Sequence, residues 1–343
     1  MALEAKWQQS GGDASDTDTE QSAARAVAEE PLESESCRDL VLPSRYRKLG
    51  RIAAGASSDV LRVHDTWLDA TLAMKVLRAE YVGHAASRAR FLTEANITAA
   101  LQHPGIVPVH DRGELPDGRL WFTMREIRGQ TLRAILDEVN RHQAPGEPGR
   151  WTFRRLIDAF ARMAQVVGYA HRRGVVHRDL KPRNLIVGEH GEGLVMDWGL
   201  ARQLVSSESK EEPEAQFPPA SWRNAAEVPR HGEMLGTPAY MPPEQASGAW
   251  ELQGPQSDVY ALGAVLYELL SGSPPHEASG RGVFQRALSA APATLREAAR
   301  DGLKLPGKLV SACERAMRKE IEERYPDADA LAEDLFAWLQ AAR

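Results

Sequence analysis

Residues 177–184 read His-Arg-Asp-Leu-Lys-Pro-Arg-Asn, and this stretch decides how the whole chain is interpreted. It fills every fixed position of the pattern H-R-D-L-x-x-x-N. Transfer of a phosphoryl group to a hydroxyl needs a carboxylate that accepts the hydroxyl proton and an amide oxygen that holds a metal on the phosphates. Asp179 and Asn184 supply these two groups. The alternative is an ordinary polar loop after a helix, and the motifs described below make this interpretation less favoured.

Two short apolar runs follow this stretch directly. Leu185–Val187 and Leu194–Met196 are joined by a turn bounded by glycines, which predicts a β-hairpin. Because a hairpin brings its open ends together, we expect Asn184 and Asp197 to lie side by side. An amide oxygen and a carboxylate at that place suit Mg²⁺ that bridges phosphates. Taken alone, Asp197 would more simply be a turn aspartate.

A lysine in an apolar, strand-like run is the third signal. Alternation along Leu72–Leu77 places Ala73 and Lys75 on the same strand face. Burial of an ammonium group is costly unless an anion meets it. Glu94 is the expected partner, because it lies on the apolar face of a helix predicted over 85–101. The alternative is that Lys75 snorkels from an edge strand while Glu94 lies at a helix rim.

The fourth signal, a small-residue stretch from Ile52 to Val60, is the weakest. Its backbone N–H groups could cover phosphates, but only Gly55 remains of the three glycines in G-x-G-x-x-G. Ala53 and Ser58 stand at the other two positions. Taken alone, the stretch would more often be an ordinary hairpin turn.

Together these motifs resemble the eukaryotic-like serine/threonine protein kinases of bacteria. The resemblance implies an α+β, bilobal kinase domain over 46–339, with a small antiparallel-sheet N-lobe (46–127) and a larger, mainly helical C-lobe (128–339). Further segments match the family in order: His103–Val107 for the turn into the fourth strand, Gly236–Glu244 for the end of an activation segment over 197–244, and Asp258–Gly263 for the start of the central helix.

The resemblance also implies roles for individual residues. The implied catalytic residues are Asp179 as base, Lys181, Lys75 and Glu94. The implied ATP-binding residues are Ile52, Ala53, Gly55, Ser58, Val60, Ala73, Lys75, Met124 as gatekeeper, and Arg125 and Ile127 of the hinge. Asn184 and Asp197 are implied to hold Mg²⁺, for which Mn²⁺ can substitute. Arg178, Thr237, Glu244 and Arg324 are implied activation-segment residues, the last two as an ion pair. Lys181 and Thr237 resemble serine/threonine rather than tyrosine kinases.

Some positions depart from the family pattern. If the position of Ala53 requires a positive φ, alanine costs free energy there and ATP affinity is weaker. Trp198 replaces the usual phenylalanine, which changes packing but leaves the Asp197 carboxylate in place. Between Trp198 and Gly236 the chain has no threonine or tyrosine. We therefore expect Arg178 to meet a carboxylate or a serine of that segment. The candidates are Glu227, Glu233, Ser206, Ser207, Ser209 and Ser221.

Composition limits the remaining function classes. The 343 residues carry a net charge of −6, of which residues 1–40 contribute −7 and the remainder +1. This acidic first segment is typical of a disordered arm. The sequence has no apolar run of about 20 residues, and residues 1–13 lack the basic flank and apolar region that a signal peptide is expected to show. Its two cysteines are expected to allow neither a disulfide framework nor a zinc site. We expect a cytoplasmic protein whose partners are ATP and protein substrates, without nucleic acid or membrane, and which can form a homodimer through its kinase domains.

The coarse pattern of elements agrees with two lobes. Strands are predicted within Tyr46–Leu77 and at Ile106–Val109 and Leu120–Met124, and helices at 85–101, Trp151–Arg173 and Ser257–Leu270. The polar, proline-containing segments 141–149 and 203–235 are interpreted as loops.

Two other functions stay open. A pseudokinase scaffold, which binds nucleotide without turnover, is supported only by the lost glycines. A small-molecule phosphotransferase of the antibiotic-kinase type shares the spacing from Asp179 to Asn184, but such enzymes usually lack an activation segment that ends in Pro-Glu. A P-loop NTPase is excluded, because no G-x-x-x-x-G-K-[ST] occurs.

Overall fold

The computed structural model describes residues 40–141, 151–204, 237–276, 294–298 and 305–341. The predicted acidic arm, apart from Leu40, lies outside these residues, as do most of the two predicted loops. No helix among the described residues has the length and apolar character that crossing a bilayer requires.

The first part of the chain forms an antiparallel sheet of five strands. They are β1 (Tyr46–Ala54), β2 (Ser58–Asp65), β3 (Ala70–Leu77), β4 (Val109–Glu114) and β5 (Leu120–Arg125), in the spatial order β1-β2-β3-β5-β4. Helix α1 (Ala85–Ala100) connects β3 to β4 along the chain. Strand β3 is therefore an inner strand, flanked by β2 and β5.

The two faces of the sheet bury separate apolar clusters, as the alternation in β3 predicts. Leu72, Met74 and Val76 pack in one cluster with Trp121. Ala73 and Leu77 belong to a second cluster, which also contains Phe91 of α1, Phe122 and Met124. The helix therefore covers the same sheet face that carries Lys75.

The second part of the described chain is mainly helical. Its helices are α2 (Leu132–Arg141), α3 (Phe153–Arg172), α4 (Pro243–Ala246), α5 (Pro255–Ser271), α6 (Leu295–Ala298), α7 (Gly307–Ala316) and α8 (Ala328–Ala341). Short strands β6 (Gly129–Thr131), β7 (Val175–Val176), β8 (Leu185–Gly188), β9 (Gly193–Val195) and β10 (Arg202–Gln203) lie among them. Helices α3, α5, α7 and α8 supply most of one large apolar core.

The two longest helices have sequence-encoded ends. Helix α3 begins after Thr152, whose side chain accepts a hydrogen bond from Arg155 N–H, and is followed by Gly174 at φ +69°. Helix α5 ends at Gly272 with φ +84°, the left-handed conformation that glycine adopts without strain. Both predicted helices are present, within two residues of their predicted ends.

The strand predicted at Ile106–Val109 is wrong. Ile106 N–H donates to His103 O at 2.9 Å, which closes a turn, and β4 begins only at Val109. Ile106 and Val107 are nevertheless buried, at 2% and 1% exposure. The apolar run therefore reflects burial of a turn, which a short run cannot distinguish from a strand.

Candidate active site

A buried carboxylate anchors the loop that contains residues 177–184. Asp258, in the first turn of α5, accepts hydrogen bonds from His177 N–H at 2.7 Å and Arg178 N–H at 2.8 Å. Its Oδ2 also lies 2.9 Å from His171 Nε2. Burial raises the pKa of Asp258, but His171 and the N–H donors outweigh that effect and hold it below its ordinary value. The anchor is therefore an ionised group inside the core.

Asp179 lies between an ammonium group and an amide. Its Oδ2 is 2.7 Å from Lys181 Nζ and 3.3 Å from Asn184 Nδ2, which also donates to Asp179 O at 2.8 Å. Burial raises the pKa of Asp179, and the charge of Lys181 acts in the opposite direction. The three predicted polar residues of this loop are thus in direct contact.

The predicted hairpin brings the next two polar residues to one place. Strands β8 and β9 pair Leu185 with Val195, and Met196 N–H donates to Asn184 O at 2.8 Å. Asp197 follows immediately with φ +63°, a left-handed conformation that is uncommon for a residue with a side chain. Its carboxylate is 47% exposed. The backbone therefore places Asn184 and Asp197 at the open end of the hairpin, as predicted.

The ion pair predicted between β3 and α1 is present. Lys75 Nζ lies 2.5 Å from Glu94 Oε1 and 3.9 Å from Asp197 Oδ1. Burial disfavours the charged ammonium of Lys75, but the two carboxylates overcome it and raise its pKa. Burial raises the pKa of Glu94. The alternative of a snorkelling lysine on an edge strand is wrong, because β3 has neighbours on both sides.

Trp198 fills the space behind Asp197. Its side chain is 1% exposed, and its ring centroid lies 4.6 Å from that of His177. Gly199 follows, where a Cβ would lie 3.3 Å from Asp197 Oδ1 and 3.5 Å from Glu94 Oε2. The tryptophan is therefore accommodated in the core, and the carboxylate still faces Lys75.

The stretch from Ile52 to Val60 forms the β1–β2 hairpin. Gly55 N–H donates to Ser58 O at 2.8 Å, and a Cβ on Gly55 would lie only 2.9 Å from that oxygen. Ala53 lies in β1, paired with Val60, and its φ is not positive. The conformational cost considered for alanine at this position therefore does not arise. Ile52 is 40% exposed.

The predicted adenine-binding residues lie at adjoining positions of β3 and β5. Ala73 is the cross-strand partner of Met124, and both are buried. Val60 and Ile127 pack against the cluster that contains these two residues. Arg125, the last residue of β5, is exposed. Apart from Arg125, these positions form one apolar cluster, on which a flat heterocycle could be held.

Arg178 has an unusual environment. Its Nε donates to Leu200 O at 2.7 Å, and its guanidinium carbon lies 5.6 Å from the centroid of the Trp250 ring. Burial, together with the neighbouring charge of Arg202, lowers the pKa of Arg178 to about 10. The partners that the sequence predicted for it, in the segment 205–236, lie outside the described residues.

The predicted pair at the end of the activation segment is buried. Arg324 Nη1 and Nη2 lie 2.7 and 2.9 Å from the two carboxylate oxygens of Glu244. Ser257 Oγ donates to the same carboxylate at 2.7 Å. Thr237 precedes a 3₁₀ turn over Pro238–Tyr240 and is partly buried.

Sequence reasoning missed two contributors to this site. His171, in the last turn of α3, contacts Asp258, and Trp250 lies against Arg178. A histidine at a helix C-terminus is commonly explained by the helix dipole. Nothing in the local pattern distinguishes Trp250 from any other aromatic residue after a turn.

The chain is similar in sequence to known proteins. A family model described as the protein kinase domain matches residues 46–336. The serine/threonine-protein kinase PknD of Protochlamydia amoebophila is 31% identical over 304 residues, which make up 86% of this chain and 30% of that protein. The serine/threonine-protein kinase PknB of Mycolicibacterium smegmatis is 37% identical over 238 residues, which make up 68% of this chain and 33% of that protein. The chain thus spans about a third of the length of these relatives.

A solved structure shares the fold. The kinase domain of PknI from Mycobacterium tuberculosis superposes with a TM-score of 0.60 at 24% identity, over 87% of this chain and 97% of that one. The predicted α+β, bilobal fold, with an antiparallel-sheet N-lobe and a mainly helical C-lobe, is therefore confirmed.

Proposed function

The chain belongs to the protein kinase family, and from that membership we propose that it is a serine/threonine protein kinase, which transfers the γ-phosphate of ATP to serine and threonine hydroxyls of proteins. The observation that carries this proposal is the position of Lys75. Its ammonium, from the sheet, lies 3.9 Å from the Asp197 carboxylate at the open end of the β8–β9 hairpin. One cationic group and one metal-binding carboxylate thus meet across the two parts of the fold.

Residues of the N-terminal, sheet-containing part bind ATP in this mechanism. In this proposal the β1–β2 hairpin covers ATP, and Ala73 and Met124 contact adenine, with the hinge at Arg125 and Ile127. Glu94 holds the Lys75 ammonium in position, so that it binds the α- and β-phosphates. The retained charge of Lys75, whose pKa is raised, supports this role.

The side chains also fit a divalent metal ion. Asn184 uses its Nδ2 toward Asp179, and no described residue donates to its Oδ1, so this oxygen is available as a ligand. The Asp197 carboxylate is half-exposed beside Lys75. Two hard oxygen donors suit Mg²⁺, and Mn²⁺ as a substitute. When bound, such an ion neutralises charge on the transferred phosphate.

The chemical step falls to the 177–184 loop. Asp179 orients the acceptor hydroxyl and accepts its proton, and Lys181 neutralises charge on the γ-phosphate during transfer. A bond forms between the hydroxyl oxygen and the γ-phosphorus, and the bond to the bridging oxygen of ADP breaks. Because the donor is ATP, we place the reaction in the cytoplasm, in bacterial signalling.

Product analysis tests this function. The full chain, incubated with Mg-ATP and, in separate reactions, a generic acidic protein and a generic basic protein, should produce phosphoserine and phosphothreonine without phosphotyrosine. The variant Asp179→Asn should lose at least about 100-fold in rate, since it lacks the proton acceptor. Equal transfer by both proteins, or none by either, would contradict the proposal.

No observation favours the scaffold alternative. Its support was the loss of two glycines, and the conformation of Ala53 removes the conformational cost attached to one of them. Gly55, the glycine that remains, is the one with no room for a Cβ.

We also propose a homodimer through the kinase domains. The turn between β2 and β3 exposes Trp67 at 76% and Leu68 at 61%, and Val41 is exposed at 67%. Exposed apolar side chains of this size support an interaction surface.

A further inference from the structure

We infer that the protein phosphorylates serine and threonine residues flanked by carboxylates, and that residues 13–20 of its own N-terminal arm are such a substrate. This inference rests on the proposed kinase function and adds the class of acceptor. It is carried by arginines around Asp179 that the described structure leaves without an acidic partner, and by the sequence of the arm.

Arg183 is the first of these arginines. It lies four residues after Asp179 and directly before Asn184, whose amide is 3.3 Å from the Asp179 carboxylate. Because consecutive Cα atoms are about 3.8 Å apart, the Arg183 side chain begins close to the proposed base. The residue is exposed, and it forms no ion pair with any described residue. Residues that flank an acceptor hydroxyl at Asp179 therefore come within reach of its guanidinium.

A second positive group lies on a strand beside the start of the 177–184 loop. Arg202, in β10, pairs with Val176 of β7, immediately before the 177–184 loop. Its Nη1 donates to Trp250 O at 2.9 Å, and no described carboxylate binds it. Burial is the main cause of the depressed pKa of Arg178, and its positive neighbours Arg202 and Arg90 depress it further. One arginine thus lies within the 177–184 loop, and a second lies on the strand that pairs with the residues just before that loop.

Positive charge is also in excess at the hinge. Glu126 is bound by Arg62 at 2.5 Å, so its charge is already compensated. Arg125 and Arg128 beside it are exposed and form no ion pair within the described part of the chain. A peptide that carries carboxylates meets a favourable field here, and a basic peptide meets repulsion.

The arm has the complementary chemistry. Residues 13–20 read Asp-Ala-Ser-Asp-Thr-Asp-Thr-Glu, so Ser15, Thr17 and Thr19 each stand next to an acidic residue. The first described residue, Leu40, packs against the sheet cluster, 25 positions after Ser15. At no more than about 3.6 Å per residue, such a length of chain spans up to about 90 Å, which is ample to reach the active site.

The reaction balances without a further reactant. The hydroxyl oxygen of Ser15, Thr17 or Thr19 forms a bond to the γ-phosphorus of ATP, and the bond from that phosphorus to the bridging oxygen breaks. ADP leaves with the electron pair, and the hydroxyl proton passes to Asp179. Each phosphate adds a charge of about −1.5 to −2 to an arm that is already acidic.

Matched peptides test the acceptor class. The full chain is given Mg-ATP and a peptide of residues 10–24, a version with Asn and Gln for its acidic residues, or a version with Lys at those positions. We expect kcat/KM to be about tenfold higher for the acidic peptide than for the neutral one, and lowest for the basic one. The preference should fall at high salt. In Arg183→Gln the acidic-to-neutral ratio should decrease several-fold, and in Arg183→Glu it should reverse.

Arg162→Gln is the matched control, because Arg162 lies on the surface of α3, where it already pairs with Asp158. This variant should keep the wild-type ratio. An equal rate for all three peptides, or a ratio that Arg183→Glu leaves unchanged, would overturn the inference and leave the kinase proposal intact. Absence of transfer to any peptide or protein would instead contradict the kinase proposal.

Mass spectrometry of the full chain after incubation with Mg-ATP tests the arm itself. Phosphate is expected on Ser15, Thr17 or Thr19, and should be absent from these sites in Asp179→Asn. The triple variant Ser15→Ala, Thr17→Val, Thr19→Val should lose that phosphate and still phosphorylate the acidic peptide. Phosphate found only elsewhere in the wild-type chain would overturn the assignment of the arm.

Discussion

Asp179 experiences two opposing influences on its charge. Burial raises the pKa of its carboxyl group, and the Lys181 ammonium 2.7 Å away lowers it, with burial the larger effect. A base must be deprotonated to accept a proton, so activity should fall as the pH decreases through this pKa.

The acid limb of the pH profile tests this environment. We expect the limb of kcat/KM in the wild-type chain to lie above the ordinary aspartate range of about 3.9. Lys181→Ala should move the limb to higher pH, because it removes the charge that favours the carboxylate. The quantity to compare is the pH at the midpoint of this limb, and not the maximal rate. Circular dichroism verifies that the protein is folded at each pH. A midpoint that stays fixed or moves down would contradict the assignment of Asp179 as the base.

Gly55 gives a second prediction at this scale. A Cβ there would lie 2.9 Å from Ser58 O, so Gly55→Ala must shift the hairpin that covers ATP. We expect KM for ATP to rise several-fold. Gly50→Ala, in the preceding strand β1, is the control, because nothing lies within 4 Å of its added Cβ. Equal KM values for the two variants would show that the hairpin does not contact the nucleotide as proposed.

The pairing of individual charged residues was the most predictable feature of this molecule. The Lys75–Glu94 pair followed from the cost of burying each charge alone, and the Glu244–Arg324 pair followed from the family resemblance. Trp250 could not be predicted, because its contact with Arg178 depends on how a 3₁₀ turn over Trp250–Leu252 packs in three dimensions.

At the scale of elements, the Glu244–Arg324 pair ties the short helix α4 to the turn before α8. The side chains are 4% and 0% exposed, so neither charge can be rehydrated if its partner is lost. Arg324→Met should lower the free energy of unfolding by about 3 kcal/mol or more, since it leaves a buried carboxylate uncompensated. Urea denaturation measures the change.

An exposed ion pair supplies the comparison. Arg62→Met breaks the contact with Glu126, in which the arginine side chain is 51% exposed. Such a pair contributes at most about 1 kcal/mol. Similar losses in the two variants would contradict the structural role assigned to the Glu244–Arg324 pair.

Elements with strong local signals were predictable, and those defined by tertiary contacts were not. Helices α3 and α5 have apolar periodicity with a cap or a terminal glycine, and both lie within two residues of their predictions. The apolar run Ile106–Val109 had no such signal, and its first residues form a buried turn held by the hydrogen bond to His103.

The sheet part and the helical part of the molecule meet through the Lys75–Asp197 contact and through Ile97 and Leu101, which belong to the large apolar core. The bilobal organisation could be predicted because strand-like runs precede helical ones along the chain. The arrangement of the exposed groups could not, because it depends on long-range packing. Arg183 is an example: the sequence motif tolerates any residue at its position, and only the structure shows that it is exposed.

Self-association is a prediction at this scale. If the exposed Trp67 and Leu68 form an interface, the full chain should be dimeric at micromolar concentration by light scattering. Trp67→Ser combined with Leu68→Ser should shift it to the monomer without loss of thermal stability. Wild-type protein that remains monomeric at high concentration would contradict the proposed homodimer.

One measurement tests the central claim, that the chain transfers the γ-phosphate of ATP with Asp179 as the base. Single-turnover transfer of the γ-phosphate is measured for the wild-type chain and for Asp179→Asn, with ATP affinity determined on the same samples. We predict that both proteins bind Mg-ATP with similar affinity. The wild-type chain should transfer phosphate at least about 100 times faster than Asp179→Asn. Binding by the wild-type chain without transfer, or equal transfer by both proteins, would contradict the account.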